Sequence, residues 1–303
     1  MWREIAAQED QAVSTLQTSD ASAFEGILRA TWIGDKLGLV AAKIPDQPPL
    51  GVYSAADPST LDIASHISHI VSDLIHTSGL DRLPRSFNGN RALLYPMAEA
   101  VSRHLHLSIK IQNDLRAAVL TPATFIGSAE AHANILPLGH RITPVDFTGK
   151  DGAALLDQFA ITIDLVYAEA TGRAIPPPPS TPAQWAPYRA KAQNRISNGI
   201  VWAYLIDGEA TPAALGYIGR RTRRGVSIRI VYTDKAHRRR GYAEKLVREM
   251  VWHAFFQEKR EYVTIHYVAG RSAGDLYRRV GFGTGEFAEY EQLDLVLVSP
   301  EDA

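Results

Sequence analysis

The sequence predicts an α+β protein built as two domains, residues 1–135 and 136–303. Three observations carry that reading. Strand-patterned and helix-patterned segments both occur in each half of the chain. The 303 residues, 46% of them hydrophobic, suffice for one large core or two modest ones. The pattern is blurred as far as about residue 135 and sharpest after Gly199.

In the first domain, Leu37–Ile44 has strand character, and Leu50–Ser54 is its expected hairpin partner across Pro48 and Pro49. Leu61, Ile63, Ala64, Ile67, Ile70, Val71 and Leu74 recur at helical spacing, with Ser59 or Thr60 as the expected cap. A second helix is expected over Leu93–Leu105, and Ser108–Leu120 reads as extended.

In the second domain, Asp151–Thr171 forms an amphipathic helix whose stripe is Leu155, Phe159, Ile163 and Val166. Pro176–Pro179 cannot be helical; the run reads as a stiff loop, with a docking motif as the alternative. Ser180 or Thr181 caps a helix running to about Ser197. Gly199–Ile206, Ala214–Arg220 and Val226–Tyr232 read as strands, the first two joined at Asp207-Gly208. In the third, Val226, Ile228, Ile230 and Tyr232 are assigned to one face, and Ser227, Arg229 and Thr233 to the other. Ala243, Leu246, Val247, Met250, Val251 and Ala254 mark a long helix. Tyr262–Val268 is a strand, Ala273–Val280 a short helix ended by Gly281, and Glu291–Val298 a final strand. No internal repeat is legible.

The formal net charge of −1 predicts neither nucleic acid nor an acidic membrane as partner. The absence of cysteine removes disulfides, thiolate metal sites and cysteine nucleophiles. Ten histidines show no ligand spacing beyond His66/His69 and His104/His106, so no metal is expected. No apolar signal core follows Met1-Trp2-Arg3-Glu4, and no apolar run has the length of a membrane helix; a cytoplasmic protein is expected.

Between a strand and a helix lies His237-Arg238-Arg239-Arg240-Gly241-Tyr242-Ala243. Free amides at a helix start bind anions, Gly241 permits close approach, and three arginines attract a polyanion, so this loop is a diphosphate cradle in chemistry. A solvated basic connector is the alternative. After the next strand comes Leu276-Tyr277-Arg278-Arg279-Val280-Gly281-Phe282.

On these residues the region resembles the GNAT acetyltransferase superfamily. That family's acyl-CoA loop (Gln or Arg, two residues, Gly, one residue, Gly or Ala) is matched by Arg238–Ala243, and its Leu-Tyr-x-x-x-Gly-Phe ending by Leu276, Tyr277, Gly281 and Phe282. The resemblance covers about residues 140–298. It implies a mixed, mostly antiparallel sheet flanked by helices, whose fourth and fifth strands, here Val226–Thr233 and Tyr262–Val268, splay to admit pantetheine. It further implies acetyl-CoA as donor and direct attack on the thioester by a primary amine, carried by a small molecule, peptide or protein. Val231, Tyr232 and Thr233 would border the thioester, and a backbone amide near Tyr232 would polarise its carbonyl. Backbone N–H groups across Arg239, Arg240, Gly241, Tyr242, Ala243 and Glu244 would hold the pyrophosphate, with Arg238 also in the cofactor-binding loop. Tyr277 matches the general acid; a core aromatic is the alternative. The general base is open: the strand carries Ser227 and Arg229 where many relatives have a carboxylate, and His266 is the candidate, with a structural histidine as the alternative. Glu286, Glu289 and Glu291 are expected to border the acceptor site or to form an exposed acidic rim. The asparagine and proline common in relatives are replaced by Ala269–Ser272 and Asp234-Lys235-Ala236. These departures leave a second expectation open, a CoA-binding module with weak or no catalysis. For residues 1–135 the expectation is a degenerate acyltransferase-like half that binds no CoA; an accessory part of the core is the alternative.

Overall fold

The computed structural model describes residues 27–33, 36–43, 50–54, 61–127, 136–149, 152–171, 174–175, 177–285 and 289–303. In chain order the strands and α-helices are β1 (Ile27–Ile33), β2 (Lys36–Lys43), β3 (Leu50–Ser54), α1 (Ile63–Ser78), β4 (Ser86–Asn90), α2 (Arg91–Leu105), β5 (Ser108–Leu120) and β6 (His140–Pro144). They continue as α3 (Gly152–Thr171), α4 (Pro182–Ser197), β7 (Ile200–Ile206), β8 (Ala214–Arg221), β9 (Gly225–Thr233), α5 (Tyr242–Trp252), β10 (Tyr262–Val268), α6 (Ala273–Val280) and β11 (Tyr290–Val298). No helix among the described residues is long and apolar enough to cross a membrane.

The chain divides into two compact units, Met1–Arg116 with Tyr290–Ala303, and Ala117–Glu289. This geometric division falls earlier than the 135/136 boundary expected from the sequence, and it assigns the last strand, β11, to the first unit. In that unit β1, β2 and β3 form an antiparallel meander, β4 runs parallel to β3, and β11 pairs antiparallel with β4. Phe87 of β4, Leu293 and Leu295 of β11, Leu74 of α1 and Met97 of α2 share one buried core. Asp62 caps α1 by accepting the Ser65 amide at 3.2 Å. Ser59 and Thr60, expected as caps, lie outside the described residues, as do Pro48 and Pro49 of the expected turn.

The second unit repeats the connectivity. β7, β8 and β9 are antiparallel neighbours, α5 follows, β10 runs parallel to β9, and α6 follows β10. β6 extends this sheet beside β7. One face packs on α5 through Leu246, Val247, Met250 and Val251, all fully buried. At about 1.5–3 kcal/mol for each such side chain, this burial outweighs helix propensity in setting where α5 lies. The opposite face packs on α3 and α4 through Phe159, Ile163 and Ala192. Thr181 and Gln184 close a capping box at the start of α4, as the sequence predicts for Thr181.

One assignment is corrected. Val226 and Ile228 pack in the α5 core, but Ile230 packs in the α3/α4 core. The register slips between Tyr217↔Ile230 and Ile218↔Ile228, which leaves Arg229 as the extra residue of a β-bulge. The inserted residue reverses the alternation beyond it, so a strict period of two fails.

Candidate active site

The loop before α5 is shaped by its own backbone. Asp234 accepts the Ala236 amide on Oδ1 and the His237 amide on its carbonyl, both at 2.9 Å. Arg239 (φ 63°) and Gly241 (φ 78°) are left-handed on either side of Arg240, an alternation that turns amides into a concave anion nest. A Cβ on Gly241 would meet nothing within 4 Å, so the left-handed φ, not crowding, calls for glycine. Gly241 is the N-cap and has no side chain to occupy the first amides of α5. At α1 the Asp62 carboxylate fills that place. The start of α5 therefore favours an anion, and the start of α1 repels one.

The side chains of this loop divide by their contacts. Arg238 donates to both Glu169 oxygens at 2.8 and 3.0 Å and to the Thr233 carbonyl at 3.1 Å, and lies over the Tyr232 ring. It braces the loop against α3. Arg239 and Arg240 are exposed and pair with no carboxylate among the described residues. Tyr242 stacks on Tyr204 with ring centroids 4.4 Å apart, anchoring the helix start to β7. Ala243 is half-buried. Glu244 bonds Arg248 at 3.0 Å and Arg279 at 2.8 Å. Desolvation raises its carboxyl, but the two arginines outweigh that and hold it below its ordinary value. What Glu244 offers an anion is its backbone amide.

Beside this loop the sheet opens. β9 and β10 pair from Gly225/Tyr262 to Ile228/Ile265 and no further, although β9 continues to Thr233 and β10 to Val268. The edge of Val231, Tyr232 and Thr233 that faces β10 is thus released from the ladder next to the anion nest. Tyr277 is buried on α6 against Tyr267 and Phe282, with ring centroids at 5.3 and 6.0 Å. Burial pushes its phenol well above the ordinary 10.0, so it keeps its proton at neutral pH. Val263, Ile265 and Tyr267 of β10 belong to the same core as Tyr277. His266 alternates to the other face, half-buried, one residue past the last β9–β10 pair. The strand therefore separates the two expected catalytic side chains. Glu289 accepts a hydrogen bond from the Tyr267 hydroxyl. Glu291 lies in the first unit with Arg91 and Arg116, and Glu286 lies outside the described residues.

Residues 197–284 match the acetyltransferase (GNAT) domain family model. The second unit contains a GNAT acetyltransferase domain. The model match ends short of the chain's termini, but the fold of solved GNAT proteins extends further. A GCN5-related N-acetyltransferase from Kribbella flavida is 14% identical, with 99% of this chain and 97% of that chain covered at a TM-score of 0.54. Another, from Sphaerobacter thermophilus, is 16% identical, with 96% and 86% covered at 0.54. At these identities the likeness is one of fold. No curated protein matches the chain significantly.

Sequence reading missed three features of the GNAT domain. The bulge at Arg229 has no local signal. The bracket of Glu244 by Arg248 and Arg279 joins residues 35 apart. The Tyr267–Glu289 bond could have been sought only once both were known to flank the Tyr277 helix.

Proposed function

We propose that the protein is an N-acyltransferase that moves an acetyl or other short acyl group from acyl-CoA to a primary amine. The observation that carries this reading is the end of β9–β10 pairing at Ile228/Ile265, beside the uncapped, glycine-led start of α5. A diphosphate on the α5 amides leaves its pantetheine arm free to enter the released strand edges. The reaction is a direct transfer within a ternary complex. The amine lone pair attacks the thioester carbon and a C–N bond forms. The carbonyl oxygen takes up the charge and is met by a backbone amide near Tyr232. The C–S bond then breaks, and the sulfur takes the Tyr277 proton. The amine proton leaves to His266 or to water, on the other face of β10. The first unit, with the same strand–helix order but an acid-capped helix start, is a degenerate acyltransferase-like half that binds no CoA. Cysteine-free chemistry of this kind is compatible with action in the cytoplasm.

The second reading is a CoA-binding module without turnover. It is favoured by Arg229, a cation on the strand where many relatives carry a carboxylate. Calorimetric titration with acetyl-CoA and desulfo-CoA, beside an Arg240→Glu/Gly241→Asp variant, is the first test. Micromolar binding that the variant weakens by about 100-fold or more supports the cradle, since Arg240→Glu reverses a charge and Gly241→Asp places a carboxylate on the α5 amides. A folded protein that binds neither ligand overturns both readings. Thiol release with a panel of amines separates them.

A further inference from the structure

Arg229 is a half-buried cation with no carboxylate partner among the described residues. Neither it nor Arg220 hydrogen-bonds or pairs with any acid among the described residues. The nearby acids on α3 are already matched: Asp157 by Arg189, Asp164 by Lys191 and Glu169 by Arg238. Alternation from Ile228 sets Arg229 on the α3/α4 face, and the bulge brings Ile230 onto that same face. Its stem packs over Gly219, where a Cβ would lie 3.1 Å from Arg229 Cγ and 2.8 Å from the Tyr217 ring. Arg195 of α4 donates to the Tyr167 hydroxyl at 3.3 Å and gives its carbonyl to the Tyr217 hydroxyl at 2.8 Å. Two guanidiniums, of Arg229 and Arg195, and two phenols thus gather on this face. Desolvation first, then repulsion from Arg220 and Arg195, pulls the Arg229 guanidinium down to about 10, with only Tyr167 and Tyr217 acting the other way. A structural cation with that much desolvation would ordinarily be paired.

We infer that Arg229, with Arg195, forms an oxyanion subsite for the acceptor, so that the amine acylated carries a carboxylate or phosphate group. The placement fits the chemistry. The anion nest at α5 lies with the helix packed on one face of the sheet, and the arginine cluster lies on the other. The opening of β9 from β10 starts at Ile228, one residue before Arg229. An acceptor held by its anion at Arg229 would reach through that opening toward the thioester. The inference rests on the acyltransferase reading above but has a test of its own.

Sulfate is titrated into the protein with desulfo-CoA saturating, so that the α5 nest is filled, for wild type, Arg229→Met and Arg195→Gln. Sulfate should bind wild type and lose about tenfold or more in each variant, the loss expected when a charged hydrogen-bond donor is removed. Arg229→Met should fold at least as stably as wild type, because it replaces an unmatched half-buried charge by an apolar chain of similar length. Initial rates are then compared for amino acids against their carboxamides, and for phosphoethanolamine against ethanolamine. Preference for the anionic member of either pair, lost in Arg229→Met through KM at unchanged acetyl-CoA affinity, supports the subsite; which pair shows it separates carboxylate from phosphate. Equal use of charged and neutral members, or no Arg229-dependent sulfate binding in a protein that still binds desulfo-CoA, overturns it. Failure to bind desulfo-CoA would instead sink the acyltransferase reading beneath it.

Discussion

Tyr277 and Gly241 show how much one residue can decide. Tyr277 has its hydroxyl in an apolar setting that favours the neutral phenol, so it holds a proton across the pH range in which an amine can attack. Tyr277→Phe should keep the fold and acetyl-CoA affinity but lower kcat by about 100-fold, the lower end of general-acid contributions. Steady-state rates beside calorimetry check this; an unchanged kcat would make Tyr277 a core aromatic only. The pH sign follows from the raised phenol. The neutral form is favoured in the fold, so its contribution to stability is complete below the unfolded value of 10.0 and declines as pH rises above it. Urea unfolding between about pH 9 and 11 should show that decline in wild type and less of it in Tyr277→Phe. Gly241 acts by having no side chain: it permits the left-handed turn and leaves the amides open. Its counterpart Asp62 caps α1 and closes the same opportunity.

At the scale of elements, the proposed cradle is only as well placed as α5. The helix is seated on β8 at Gly216, where a Cβ would lie 2.5 Å from Met250 Sδ and 3.0 Å from its Cε. Gly216→Val should push α5 outward, cost about 1–3 kcal/mol by overpacking, and weaken acetyl-CoA binding although residue 216 touches no ligand. Chemical denaturation and calorimetry on the same variant measure both; a stability loss with unchanged affinity would show that the nest tolerates helix movement. The β9 bulge is the other element-scale device. It turns Ile230 to the face that Arg229 occupies and coincides with the point where β9 leaves β10.

For the whole molecule, chain order and unit membership differ. Both units run meander, helix, parallel strand, helix, yet β11, from the end of the chain, belongs to the first unit, and the end of β5 belongs to the second. Leu295 of β11 is buried with Phe87 in the first unit's core. Leu295→Ala should therefore destabilise by about 2–5 kcal/mol and raise amide exchange in β4, α1 and α2 before it does so in β7–β10. Hydrogen exchange read by mass spectrometry checks the order; loss of protection led by the GNAT strands would mean that the C-terminal strand supports them instead.

The sequence by itself determined what local chemistry encodes. Periodicity marked α3, α5 and nearly every strand of the second unit, Ser180 or Thr181 announced a helix cap, and the arginine–glycine loop announced the glycine-led start of α5. Each of these signals lies within a few residues, where side-chain spacing and backbone freedom act directly. The tertiary structure alone decided the partners. It placed β11 in the first unit, inserted Arg229 as a bulge, ended β9–β10 pairing at Ile228, tied Arg238 to Glu169, and set Tyr277 and His266 on opposite faces of β10. These are pairings between residues far apart in the chain. Their energies come from ladder registers and buried contacts that exist only once both partners are folded together, so no window of the sequence carries them.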